Sequence, residues 1–179
     1  GLRHRAAGAD RPAARAALMD ASVLRAMARW PEVPAVFGWL ALDRRGNWLL
    51  KEPGSARFGR IGNGALREFI ARNYAADDRG RWYFQNGPQR VYVTLAYTPF
   101  VMHYESETLF DQCGRPIKTA ETFVDDAGSV LVLGQHGVGL LDDRDLERLV
   151  DAAQRMTRVA RGEVEARFGF VSNPAFSLR

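Results

Sequence analysis

Asp43-Arg44-Arg45-Gly46-Asn47-Trp48 and, thirty-four residues on, Asp77-Asp78-Arg79-Gly80-Arg81-Trp82 share the pattern Asp-x-x-Gly-x-Trp, and their reading decides the fold. The Asp-x-x-Gly part recurs at residues 111–114 and 125–128. In such a tetrapeptide the aspartate carboxylate accepts hydrogen bonds from backbone amides two or three residues on. The glycine takes the positive φ that closes a type I turn with a bulge. Strand-forming residues flank three of the four: 37–42 and 48–50, then 82–84, then Phe123 with 130–133. One such tetrapeptide is common in loops, whereas four at strand boundaries predict β-hairpins.

Outward from these turns, Asn86-Gly87 separates Trp82-Tyr83-Phe84 from Val91-Tyr92-Val93 and predicts a further hairpin, with Pro88 making its turn long or bulged. Thr98-Pro99 precedes residues 100–105, whose alternation fits a sheet with two different faces. Helices are predicted over 20–30, capped by Asp20 or Ser22 and stopped by Pro31 and Pro34; over 63–74, where Leu66, Phe69, Ile70 and Tyr74 share a face; and over 143–156, capped by Asp142 or Asp143, with Leu146, Leu149, Val150 and Ala153 aligned. The expected fold is α+β, mainly antiparallel hairpins in two related hairpin-plus-helix halves, residues 19–105 and 106–162. A helical repeat array does not fit, because the segments between the turns read as strands. Residues 1–18 are expected to be a disordered basic arm, with Met19 as the natural start, and residues 163–179 an extended tail whose Phe168, Phe170 and Phe176 pack on the body.

Composition narrows the function classes. The 179 residues are 46% apolar and 26% charged, ordinary values for a globular domain. No apolar stretch approaches the roughly eighteen residues of a membrane-spanning helix, and no secretory leader is expected. The lone Cys113 excludes an intramolecular disulfide and a multi-cysteine zinc site, so the expected compartment is the reducing cytoplasm. The formal net charge is +4, of which residues 1–19 carry +3 and the rest only +1. A basic stripe for phosphates is therefore missing, and neither nucleic acid nor membrane is an expected partner.

No motif of known catalytic spacing is present: no Cys-x-x-Cys, His-Glu-x-x-His, Gly-x-Ser-x-Gly or Gly-Lys-Ser/Thr. No metal and no cofactor are expected. Four features remain. The 85–90 loop offers Gln85, Asn86 and Arg90, followed by Tyr92, as a ligand-binding patch, since arginine can clamp a carboxylate or phosphate in two places. The loop before the second helix, with Arg60, Gly62, Asn63 and Gly64, places free amides and a guanidinium at a helix N-terminus, where an anion could sit; Asn63 as a simple cap is the competing reading. His103 and Glu105 share a strand face and form a candidate general-base pair, or a surface hydrogen bond. Three glycines around His136, in residues 134–139, allow close ligand approach or simply a flexible turn. Cys113 has no neighbouring base or second thiol in the sequence and takes no role.

These readings favour a non-catalytic module, regulatory or signalling in role, that binds a small anionic or polar ligand or a protein partner through the 85–90 loop. An enzyme of unrecognised type using His103 and Glu105 is the alternative, and a structural homo-oligomer subunit a third.

The residues also carry a resemblance. The 43–48 hairpin, the helix around 66–70, the Asp78-Arg79-Gly80-Arg81-Trp82-Tyr83 run and residues 91–102 with Thr98-Pro99-Phe100 stand in an order similar to that of the proteobacterial domain-of-unknown-function family 1285. It covers roughly residues 36–155 and implies a repeated α+β fold, with at most a suggested role in signalling or ligand binding. No catalytic residues come with it. Residues 84–90 depart from the pattern, which points to that family or a sister family with a different ligand.

Overall fold

The computed structural model describes residues 19–118 and 121–178. In it all four Asp-x-x-Gly segments fold by the same hydrogen bonds. The Oδ1 atoms of Asp43, Asp77, Asp111 and Asp125 each accept from the amides two and four residues on, at 2.8–3.0 Å. Each aspartate amide donates to the carbonyl four residues on, and each turn glycine donates its amide to the aspartate carbonyl. The glycines Gly46, Gly80, Gly114 and Gly128 have φ of 78–83°, a backbone state that a side chain would strain.

Chain order begins with α1 (Ala21–Arg29), β1 (Val36–Leu42), β2 (Trp48–Lys51), β3 (Phe58–Arg60), α2 (Gly64–Arg72), β4 (Tyr74–Ala76), β5 (Trp82–Asn86) and β6 (Gln89–Leu95). It continues with β7 (Phe100–Glu105), β8 (Thr108–Asp111), β9 (Glu121–Asp125), β10 (Val130–Gly134) and β11 (Gly137–Leu141). One sheet has the order β3-β2-β1-β6-β5-β4. In the other, β12 (Thr157–Val159) stands at one edge and the order is β12-β9-β10-β11-β7-β8.

The two sheets share a five-stranded topology, to which β3 is added beside β2 in the first and β12, parallel to β9, in the second. In each, the first strand of an opening hairpin pairs in parallel with the last strand of a three-stranded meander, β1 with β6 and β7 with β11. The hairpins and meanders themselves are antiparallel. This is the expected α+β fold, with three corrections in detail. The sheets divide at the 96–99 link and not near residue 105, because β7 pairs with β8 and β11 of the second sheet.

The helix expected over 143–156 is a 3₁₀ helix (Asp143–Leu149) followed by one α turn, α3 (Val150–Ala153). Tight winding follows from side chains spent on neighbours: Asp142 accepts from the Arg144 amide, Asp145 accepts from the Tyr104 amide, and Arg148 donates to the Ser106 carbonyl. The C-terminal segment is not uniformly extended. It contains a 3₁₀ turn (Arg161–Glu163), α4 (Val164–Phe168) and a second 3₁₀ turn (Pro174–Leu178), because Val164 and Phe170 are apolar enough to be drawn into the core. Residues 1–18, read above as an arm, lie outside the described residues.

The main core joins both sheets: Leu40, Leu42, Trp48, Val93 and Leu95 of the first meet Phe100, Met102, Leu131, Val138 and Leu141 of the second. Ile70 of α2 packs into it, and Phe69 sets its ring edge-on to Phe84 at 5.4 Å. On the opposite face of the first sheet, Val23 of α1 and Met19 just before it cover Tyr83 and Tyr92. Asp20 leaves the α1 amides uncapped because its carboxylate is taken by Arg72 and Asn73 at the end of α2. No helix among the described residues is long and apolar enough to cross a membrane.

Candidate functional site

A cleft of about 910 Å³ opens where the β4–β5 turn, the start of β7, the β10–β11 turn and α4 meet. Its apolar lining comes from Tyr74, Trp82, Phe100 and Phe168. The indole of Trp82 lies 4.8 Å from the Tyr74 ring and 5.0 Å, edge-on, from Phe100, so three aromatic rings form one contiguous patch. Tyr74 is anchored by its hydroxyl, which donates to the Pro99 carbonyl at 2.7 Å, and burial holds that phenol well above its ordinary pKa.

Arg115 and His136 bring the chemistry to this patch. Arg115 is the residue four beyond Asp111, so the turn geometry itself aims it: Nε donates to Asp111 Oδ2 at 3.0 Å, and the guanidinium lies 5.4 Å from the centroid of Phe100. Neither Nη nitrogen has a hydrogen-bond partner among the described residues. His136 sits at the β10–β11 turn, half-buried, and also has no hydrogen-bond partner among them. Burial, then the positive charge of Arg115, push its pKa below 6.5, while Asp111 pulls the other way. The imidazole is therefore neutral at pH 7.

Carboxylates stand on the other side. Asp77 is spent: Oδ2 accepts from Arg81 Nε at 2.7 Å and from the Tyr92 hydroxyl at 2.8 Å. Burial alone would raise its pKa, but the hydrogen bonds from Tyr92 and from Arg81 outweigh it and hold it below the usual range. Asp78 and Glu165 also line the cleft, the latter accepting from the Ser172 amide. The segment after α4 is latched to the first sheet by backbone bonds, Val171 N to Gly80 O of the β4–β5 turn at 2.9 Å and Leu95 N of β6 to Ser172 O at 2.8 Å. Gly80 has no room for a side chain, since a Cβ would lie 2.3 Å from the Gly169 carbonyl oxygen.

The residues singled out in the sequence fall in other places. Gln85, Arg90 and Tyr92 share the α1 face of the first sheet, where register sets Gln85 opposite Arg90. Asn86 belongs to the other face and lines an apolar groove beside α2. Arg90 stacks on Tyr83 at 4.0 Å and reaches the Tyr92 hydroxyl at 3.4 Å; Gln85 is buried and donates to the Gly87 carbonyl. Asn63 caps α2, its Oδ1 accepting from the Leu66 amide at 3.1 Å, with Arg60, Gly62 and Gly64 exposed around it. His103 and Glu105 do pair, at 3.0 Å, but with side chains 37% and 66% exposed, and neither lines a cleft described above. Burial and then Asp111 push the Cys113 thiol up to about 12, so it is no nucleophile at neutral pH. The signal for the cleft was present in two fragments, the glycines around His136 and the Asp-x-x-Gly-x position of Arg115, with nothing local to join them.

Fold and cleft together define an α+β protein of two six-stranded sheets with a cleft set between them. The chain belongs to the family whose model, DUF2944, is described as "Protein of unknown function (DUF2946)" and matches residues 19–175. Two solved structures are similar, both DUF1285 family proteins. One, from Silicibacter pomeroyi, is 17% identical over 78% of this chain and 81% of its own, with a TM-score of 0.48. The other, from Shewanella baltica, is 14% identical over 63% of this chain and 90% of its own, with a TM-score of 0.46. No curated protein matches the sequence.

Proposed function

We propose that this chain is a binding module, regulatory or signalling in role, for a small polar ligand bearing an anionic group, held in the intersheet cleft with Arg115 as its counter-ion. One observation supports this reading above the others: a guanidinium fixed at Nε by Asp111 keeps both Nη nitrogens without a hydrogen-bond partner among the described residues, beside an aromatic patch. Buried and half-buried arginines ordinarily have their donors taken up, so a positioned, unspent pair suits a ligand oxygen. The cleft volume lies within the range of small-molecule sites. Gln85, Arg90 and Tyr92 then support the site from behind. Arg90 donates to the Tyr92 hydroxyl, which donates to Asp77 in the cleft wall.

The test is thermal unfolding of the full chain against a panel of organic acids, phosphates, nucleotides, sugars and metals. A ligand at a hundred times its dissociation constant stabilises by about 2.7 kcal/mol, a shift of about 5–10 °C for this length. A shift from an anion that vanishes in Arg115→Gln supports the module. An anion shift that survives Arg115→Gln but is lost in Arg90→Ala moves the site to the α1 face.

A further inference from the structure

We infer that the cleft ligand is an aromatic monocarboxylate, an inference that rests on the binding-module reading above. Three features of the lining select this class. First, Arg115 has Nε bonded to Asp111 and neither Nη nitrogen partnered among the described residues, and that remaining planar edge matches a single carboxylate, two oxygens to two nitrogens. Second, the same guanidinium lies 5.4 Å from the buried Phe100, which lies 5.0 Å from the half-buried Trp82, so a ring attached directly or through a short arm to that carboxylate reaches the Trp82 side of the aromatic patch. Gly137 faces these rings with no side chain: a Cβ there would stand 3.1 Å from Phe100 and 3.9 Å from Trp82. Third, the surrounding charge suits a monoanion. His136 is held neutral, and Asp78 and Glu165 share the lining. A dianionic phosphate would meet a lining of two arginines, Arg79 and Arg115, against the carboxylates of Asp77, Asp78 and Glu165, whereas a carboxylate brings a smaller charge to them.

The experiment is calorimetric titration of the full chain at pH 7.5 with benzoate, cinnamate, cyclohexanecarboxylate and phenyl phosphate. Benzoate and cinnamate are expected to bind, with cyclohexanecarboxylate and phenyl phosphate at least tenfold weaker. Arg115→Gln is expected to weaken benzoate at least tenfold. Ala166→Phe, at an exposed cleft position that does not touch the Asp111 pairing, is expected to do the same by filling the mouth. Trp82→Leu is expected to abolish the preference for benzoate over cyclohexanecarboxylate. Equal binding of those two overturns the aromatic requirement, and tighter binding of phenyl phosphate overturns the carboxylate; in both cases the anion cleft stands. Silence from all four probes, with an Arg115-dependent thermal shift from some other anion, overturns the ligand class alone. Silence together with no thermal shift from any anion overturns the cleft reading as well.

Discussion

Gly80 and Gly128 occupy equivalent turns, yet they do different work. Both have φ near 80°, but only Gly80 has another chain segment pressed against its Cα. Gly128→Ala therefore incurs backbone strain alone, about 1 kcal/mol, while Gly80→Ala also pushes off the Gly169 carbonyl and loses about 3 kcal/mol or more. Urea unfolding of the two variants checks the ordering; equal losses would show that the latch carries no stability. His136 gives a pH-dependent prediction. Its folded pKa lies below 6.5, so the unfolded chain binds the extra proton first, and this histidine's contribution to stability is lost as pH falls from 6.5 through the folded value. An anion bound between Arg115 and His136 offsets the arginine's repulsion and raises that pKa. Anion affinity should thus strengthen as pH falls from 8 to 6, and His136→Gln should flatten the titration profile. Local chemistry of this kind was legible in the sequence where it closes within five residues, as in the four aspartate turns. The site was not. Arg115, His136 and Trp82 come from three separate elements: the pairing of β7 with β11 brings the first two to one opening, and Trp82 joins them from the first sheet by packing on Phe100.

Among the elements, the C-terminal segment has the largest consequence for its size. Phe170 is 4% exposed and Val164 fully buried, and Val171 and Ser172 hydrogen-bond to the first sheet's turn and to β6. Phe170→Ala should lose about 3–5 kcal/mol by the usual cost of emptying an aromatic core position, measured by thermal or denaturant melts. It should also open the cleft, so any anion shift should shrink with it. A chain still cooperative at its original midpoint would contradict the role given to this wall. The sequence reading of this segment as an extended tail failed for a physical reason. Residues 161–168 bear alternating charges with a single central valine, so no apolar period announces the short helix that tertiary burial stabilises. The 143–156 helix failed for the opposite reason: its period was plain, but Asp142, Asp145 and Arg148 are spent on neighbouring backbone, and Val150 ends 62% exposed.

For the whole molecule, acid stability follows from the carboxylates. Hydrogen bonding to Arg144 lowers Asp142 to about 2, and Asp20, bonded to Arg72, and Asp77 are also held below their ordinary values. An unfolded aspartate titrates near about 3.9, so below that pH the unfolded state binds more protons and stability falls, continuing down to the folded values. Denaturant midpoints at pH 5, 4 and 3 should decline in step, and Asp142→Asn should flatten part of the slope. The repeated topology carries a last consequence, for synthesis. In each sheet the central pairing joins the first strand of its half to the last, β1 to β6 and β7 to β11. A nascent chain can close hairpins as they leave the ribosome, yet the first sheet waits for Leu95 and the second for Leu141. The second sheet then gains β12 at its edge, and the cleft exists only once α4 and Val171, which wall it, have followed.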